Sequence, residues 1–363
     1  MNMRAVIMRH GALGLEEISI PRPGPGEVLV KTLATGICGS DLHAAKHGGE
    51  LLASARAVTG LDLFDMNEPV IMGHEFCAEV VEHGPDCQQT HPIGTRVVSA
   101  PFLMRPRPVT LIFGSPETPG GYAQYMVLSE ALLIPVPDHV PDDVATLAEP
   151  LAVAIHAVNR GNVGADDVPI VIGCGPIGLA VIAVLKMRGI GPIVASDFSA
   201  KRREMAATLG ADVVVDPREI SPFEAWRSVA ATSDPDRMSP QTQMFPGFAF
   251  RRSVVFECVG VRGVLQQVLA ETAPRSHIVV VGLCMEEDRI FPSYGIIKEV
   301  DVTFCIAFTA QEYVEAFTRI AAGDLKVAPM ITSHIGLEGV PDAFITLGGA
   351  EKEAKVIVLP NKR

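Results

Sequence analysis

The sequence predicts an α/β protein in two parts: a barrel-like, strand-rich part over about the first 130 residues, then a doubly wound parallel sheet from about residue 168. Three observations predict it. Short apolar runs broken by Gly, Pro and Asp turns fill the first part. Continuous apolar strands alternating with amphipathic helices fill the second, the pattern of a parallel sheet covered on both faces. With 363 residues, 48% hydrophobic and 20% charged, the chain is ordered and too long for one small core.

The elements follow in order. "AVIM", "EVLVKTL", "AEVVEH" and "RVVSA" read as strands, with "PRPGPGE" a stiff extended loop between two of them. The texture changes in "DDVATLAEPLAVAIHAVNRG" (142–161). There Glu149–Pro150 can open a helix, Leu151, Ile155 and Val158 fall on one face, and Gly161 can end it. "PIVIG" precedes the helical "PIGLAVIAVLKMRG". "PIVASD" precedes "SAKRREMAATLG", with Ser199 as N-cap and Gly210 as stop. "ADVVV" precedes a helix started by Ser221 and Pro222, and "SVVFECVG" and "HIVVVGL" flank a helical stretch over 261–271. Residues 232–252 read as a polar surface insertion. Beyond about residue 297 come a strand in "VDVTFCIAF", helices in "QEYVEAFTRIAAG" and "VPDAFITLGG", and a final strand "AKVIVL".

Composition narrows the function. The net charge is −12 with no basic run, which argues against a nucleic-acid partner. Seven scattered cysteines without a Cys-x-x-Cys suit reduced thiols in a cytoplasmic protein. The first residues lack the apolar core of a signal peptide. The longest apolar run, 168–185, carries three glycines and a proline near its middle, so a strand followed by a helix explains it better than a membrane span.

"VIGCGPIG" sets Gly173, Gly175 and Gly178 in G-x-G-x-x-G spacing between a strand and a helix. The tight turn needs Gly173, a pyrophosphate approaching the backbone needs Gly175, and close helix–strand packing needs Gly178. The helix start, with Pro176 and Ile177, offers unpaired N–H groups and a positive dipole end to phosphates. Asp197 ends the next strand, where a carboxylate takes both ribose hydroxyls of NAD and repels the extra phosphate of NADP. NAD is therefore expected over NADP, although Arg202 on the following helix could serve the ribose edge or a phosphate. Val259, Val281, Gly282 and Leu283 complete the expected cofactor contacts.

"TGICGSDLHAAKHG" (35–48) gathers Cys38, Ser40 and His43, and "VIMGHEFCAEVV" (70–81) sets His74 and Glu75 before a strand. With Glu149 they supply one sulfur, one imidazole and two carboxylates. A catalytic zinc takes about three protein ligands and keeps one open position. Mixed Cys, His and carboxylate ligation suits Zn²⁺ better than Mg²⁺ or Ca²⁺. Singly, a buried cysteine is usually inert core and a His-Glu pair usually surface. Their presence together, upstream of a dinucleotide motif, points to a metal.

"GICGSDLH", "GHE", "GGYAQYMVL", "EPLAVAIHAV", "GCGPIG" with Asp197, and the terminal strand together resemble the zinc-dependent medium-chain dehydrogenases/reductases, almost end to end. This is the group of alcohol, sorbitol and threonine dehydrogenases. The resemblance implies a GroES-like β-barrel catalytic domain of residues 1–150 and 298–363 and a Rossmann domain over 151–297. It implies Cys38, His74 and Glu149 as ligands of one catalytic zinc, and Glu75 as a carboxylate beside the metal that is sometimes a ligand. Asp41 would steady His74 from behind. The implied reaction oxidises a secondary alcohol, or reduces the ketone. The metal lowers the pKa of the alcohol, Ser40, the nicotinamide ribose and His43 pass the proton to solvent, and hydride goes to NAD. A homodimer or homotetramer is also implied, joined through the strand in "VDVTFCIAF".

The sequence departs from that pattern twice. Residues 101–121 hold no cysteine, so the second, structural zinc of many relatives is not expected. The segment 47–69 is longer than usual where the substrate cleft opens, which leaves a polyol, an amino alcohol and a bulkier cyclic alcohol all in play. A redox-neutral aldehyde dismutase with tightly held NAD and a non-catalytic NAD-binding protein are the competing readings.

Overall fold

The computed structural model of the chain describes every residue except 61–63, 106–109, 112–117, 239–248, 348–352 and 363. One unit comprises Met1–Glu149, Tyr313–Ala322 and Ile331–Arg363; the other comprises Pro150–Glu312 and Gly323–Met330.

In the first unit, β1 (Asn2–Arg9) and β2 (Ala12–Ser19) form an antiparallel pair. Their inward residues Met3, Val6, Ile7 and Met8 join a core with Ile71, Tyr122 and Val358. Next, β3 (Glu27–Gly36) leads into α1 (Gly39–Thr59), and β4 (Glu75–His83) returns antiparallel beside β3. Short strands follow: β5 (Arg96–Val98), β6 (Phe102–Leu103), β7 (Thr110–Leu111), β8 (Tyr125–Ser129) and β9 (Ile134–Pro135). The β3, β4 and β8 residues Val28, Val30, Phe76, Val80, Met126 and Leu128 pack a second core. Then come α2 (Asp142–Ala145) and α3 (Ala148–Gly161), whose last residue is the expected stop. The sequence reading gives only strands and loops before residue 130. The long α1 is an addition to it, kinked at His47 (φ −127°, ψ 28°).

The second unit alternates β10 (Val168–Ile172), α4 (Pro176–Met187), β11 (Val194–Ser196), α5 (Ala200–Leu209), β12 (Val213–Val215), α6 (Pro222–Ala230), β13 (Ser253–Glu257), α7 (Val264–Glu271), β14 (His277–Val280), α8 (Pro292–Lys298) and β15 (Asp301–Phe304). All six strands are parallel, in the order β12-β11-β10-β13-β14-β15. The chain order reverses at β10, which opens a ligand crevice beyond the carboxyl ends of β10 and β13. Ser199 and Ser221 cap α5 and α6 through their hydroxyls, and Gly210 ends α5 in the left-handed region. Residues 239–248 of the insertion over 232–252 lie outside the described residues.

After α9 (Ala310–Ala321), the strands β16 (Ile331–Ile335) and β17 (Lys355–Val358), separated by α10 (Val340–Leu347), complete the sheet of the first unit. Its order is β16-β17-β3-β4-β5-β9, with β8 on the other part of β3. The domain boundary needs two corrections. The sequence reading assigns 298–312 to the first domain, but β15 pairs parallel with β14, so these residues belong to the second unit. It also assigns Gly323–Met330 to the first domain, and these too belong to the second unit. No helix among the described residues is long and apolar enough to cross a membrane.

His277 on β14 carries a testable consequence. Its Nδ1 lies 3.0 Å from Gly161 O and its Nε2 2.9 Å from Thr303 Oγ1. Burial keeps the imidazole below its ordinary pKa, despite the hydrogen bond to Gly161. The unfolded chain therefore binds the proton first, and stability falls as pH drops below about 6.5. Thermal melts from pH 8 to 5 should show a shallower acid loss for His277→Gln than for the wild type. Parallel curves would refute this.

Candidate active site

The chain turns out of β3 into α1 with Cys38 as the N-cap, in extended conformation (φ −96°, ψ 152°). Its N–H donates to Asp41 Oδ2 at 3.2 Å, which fixes both residues on one turn. The Tyr122 hydroxyl donates to the same oxygen at 2.6 Å, and Asp41 Oδ1 lies 3.3 Å from His74 Nδ1. Asp41 and Tyr122 are buried, so these contacts act in a low dielectric. Burial alone would raise the Asp41 pKa, but His74, Tyr122 and the Cys38 N–H hold it below the ordinary range. Burial alone would lower that of His74. The charges of Asp41 and Cys38 instead push it well above the usual value.

His74 is placed by the glycine before it. Gly73 sits at φ +97°, where an L side chain is strained, and an added Cβ would lie 2.9 Å from Tyr122 N. Ser40, exposed on the first turn of α1, sets its Oγ 3.3 Å from His74 Nε2. One turn further on, His43 is half-buried, with its ring centroid 6.3 Å from that of His47. Burial, reinforced by His47 and Lys46, lowers the His43 pKa.

The two carboxylates have different settings. Glu75 stands opposite Gly36 in the β3–β4 register, where any Cβ would overlap its Oε2. The space left by that glycine is taken by the Glu75 carboxylate, which Lys355 reaches from β17. Its Nζ donates to both Glu75 oxygens at 2.7 Å and to Ile37 O at 3.1 Å. The side chains of this pair are 1% and 0% exposed. Burial opposes the charge on Lys355, yet Glu75 and Cys38 raise its pKa. Glu75, which the sequence reading counts among the metal residues, is thus the ion partner of a lysine. Glu149, at the start of α3, is buried, and its pKa is pushed up to about 7 by burial and by Glu75, against His74 and Lys355. Cys38 acts electrostatically on His74, and His74 on Glu149, so the three share one neighbourhood of the first unit.

In the second unit, an added Cβ at Gly178 would overlap Gly173 O, so helix α4 and strand β10 meet there without room for a side chain. At Gly175 the nearest atom would be Arg202 Nη1, 4.0 Å away. Packing does not demand that glycine; it borders open space at the N-terminus of α4, beside Pro176 and Ile177. Asp197 accepts from Cys174 N (2.8 Å) and Ser199 N (2.7 Å), which pins its carboxylate beside the glycine turn. Val259 and Gly260 donate to Glu257 Oε1, and Val281 and Gly282 to Glu257 O. These loops, with Leu283, follow the carboxyl ends of β13 and β14.

Two family descriptions match the chain: Alcohol dehydrogenase GroES-like domain over residues 24–138, and Zinc-binding dehydrogenase over residues 176–322. The chain is 30% identical over 356 residues to (R,R)-butanediol dehydrogenase of Bacillus subtilis, with 96% of each protein covered. The chain belongs to the zinc-dependent medium-chain dehydrogenase/reductase family. This dehydrogenase is also 29% identical to human sorbitol dehydrogenase, over 95% of this chain and 92% of that one. Among solved structures, 2R,3R-butanediol dehydrogenase from Bacillus subtilis is similar at TM-score 0.77 and 28% identity, covering 99% of this chain and 100% of that one. A zinc-binding dehydrogenase from Sinorhizobium meliloti bound to NADP is similar at TM-score 0.80 and 26% identity, with the same coverage. The dehydrogenase is an oxidoreductase of secondary alcohols and ketones that uses zinc and a nicotinamide cofactor. Two of its site residues have no role in the sequence reading, Tyr122 and Lys355. The one signal for Lys355 is a lysine inside the apolar strand "AKVIVL".

Proposed function

We propose that this dehydrogenase oxidises a polyol or vicinal diol at a secondary hydroxyl, with NAD as acceptor and one catalytic zinc held by Cys38, His74 and Glu149. The observation that carries the reading is a thiol, an imidazole and a buried carboxylate gathered in one unit, with Asp41 set behind the imidazole. This donor set suits Zn²⁺, and a cation there would relieve the burial that pushes Glu149 up to about 7. Zinc held there would supply Lewis-acid polarisation of the substrate hydroxyl, and the nicotinamide cofactor would supply the hydride acceptor. Asp41 orients His74, and Ser40 is placed to accept a hydrogen bond from the substrate hydroxyl. His43, kept neutral near pH 7 by its lowered pKa, takes up the released proton. The names of the sorbitol and butanediol relatives support the substrate class.

NAD is supported by Asp197, whose fixed negative charge opposes a ribose phosphate. Arg203 is committed to Asp216 and to the Asp197 and Phe198 carbonyls. A homo-oligomer is supported by β15, the end strand of its sheet, and by exposed Ile296, Ile297, Phe304 and Ile306. Light scattering should give a dimer or tetramer.

The test is NAD(P)H formation with 2,3-butanediol, sorbitol, amino alcohols and cyclic secondary alcohols, with and without chelator. Turnover of the diol or polyol with NAD, lost on chelation, is expected. Asp197→Asn should cut the preference for NAD over NADP by about 10–100-fold, and His43→Ala should slow turnover mainly at low pH. Preference of the wild type for NADP, or turnover confined to cyclic alcohols, would overturn the reading.

A further inference from the structure

We propose that His83, Cys87 and Glu130 form a second metal site, selective for a Zn²⁺-class ion, which staples the loop after β4 to the end of β8. One donor atom from each residue lies within 4.8 Å of the other two, and this is the group of three that meets the condition among the described residues. Zinc–ligand bonds of about 2.0–2.3 Å set tetrahedral donors about 3.3–3.8 Å apart, so a contraction of at most about 1.5 Å closes the triangle.

The site is built from three places in the fold. His83 is the last residue of β4. The tight turn after it is forced by Gly84, whose N–H donates to Glu27 O at 2.9 Å and whose Cβ, if present, would overlap Gly24 O. That turn brings Cys87 back beside the strand end, with its Sγ 3.1 Å from Glu27 O. Glu130 follows β8 directly and opens a 3-10 turn (Glu130–Leu132).

Two further observations point to a ligand. His83 Nδ1 is buried and has no hydrogen-bond partner among the described residues, an arrangement costly for an imidazole unless another group uses that nitrogen. Glu130 is buried and already oriented: it accepts from Gln88 N at 2.6 Å, Thr90 N at 3.0 Å and Thr90 Oγ1 at 3.3 Å. These contacts use three of the four carboxylate lone pairs and leave one on Oε2 for a cation, and such outer contacts are how ligating carboxylates are commonly fixed. Nitrogen, sulfur and oxygen together favour Zn²⁺ over Mg²⁺ or Ca²⁺. On binding, the Cys87 S–H bond breaks, its proton goes to solvent and the thiolate bonds the metal. The fourth tetrahedral position is left to water.

This site is separate from the catalytic one. In the antiparallel β3–β4 ladder, Val28 faces His83 at one end and Gly36 faces Glu75 at the other. At about 3.3 Å per residue the two ends are about 25 Å apart along the strand.

The test uses the full-length protein. Zinc per chain, measured after gel filtration, should fall by one equivalent in His83→Gln relative to the wild type; an unchanged content overturns the proposal. In a Cys38→Ser background, which removes the catalytic thiolate, cobalt should give a thiolate-to-metal charge-transfer band that disappears on adding Cys87→Ser. Absence of the band in Cys38→Ser alone, or its survival in the double variant, overturns the proposal. Circular dichroism establishes that each variant is folded.

Discussion

Cys38→Ser should lose the catalytic zinc and, with it, turnover at every pH. The expected drop in kcat/KM is about a thousandfold or more, since Lewis-acid stabilisation is worth several kcal/mol and each tenfold is about 1.4 kcal/mol. The thiol is the soft donor of the set, and its backbone also anchors Asp41 through the 3.2 Å N–H contact, which serine preserves. The variant should therefore fold while failing to bind metal. His43→Ala gives the contrast, because it leaves the donors in place and should keep the metal. Full activity in Cys38→Ser would show that this cysteine is no ligand.

The second large effect belongs to Lys355. Lys355→Met strands Glu75 as a buried charge without a counter-ion, a change that costs about 3–5 kcal/mol when one partner of such a pair is removed. Denaturant melts should show that loss. Glu75→Leu combined with Lys355→Met should recover most of it, because two apolar side chains of similar volume need no neutralisation. If Lys355→Met alone is as stable as the wild type, the ion pair is not what secures this part of the first unit.

The legibility of the sequence followed distance along the chain. The glycine turn and Asp197 were readable because strand, turn, helix and carboxylate all lie within about 30 residues, and each glycine has a local reason. Cys38, His74 and Glu149 stand out in the sequence as donor types for a metal, but only the resemblance ties their segments to one site, since nothing local says that they meet. Tyr122 and Lys355 were not readable. The first bonds Asp41 across 81 positions and the second bonds Glu75 across 280. The boundary at 298–312 failed for a related reason: an apolar strand reads alike whichever sheet it joins, and the parallel pairing with β14 decided it. The helix α1 was hidden by Gly48 and Gly49, two weak helix formers inside it. The His83, Cys87 and Glu130 cluster passed unnoticed because its third donor arrives from another strand end.

The bond from Lys355 to Glu75 also sets an order of events during synthesis. A ribosome completes the strand bearing Glu75 long before it reaches the lysine 280 positions later. Until β17 emerges and pairs with β3, that carboxylate has no counter-charge and cannot be sealed away from water. The first unit therefore matures after the second has been translated, and its unfinished sheet stays open to chaperones and to neighbouring nascent chains meanwhile.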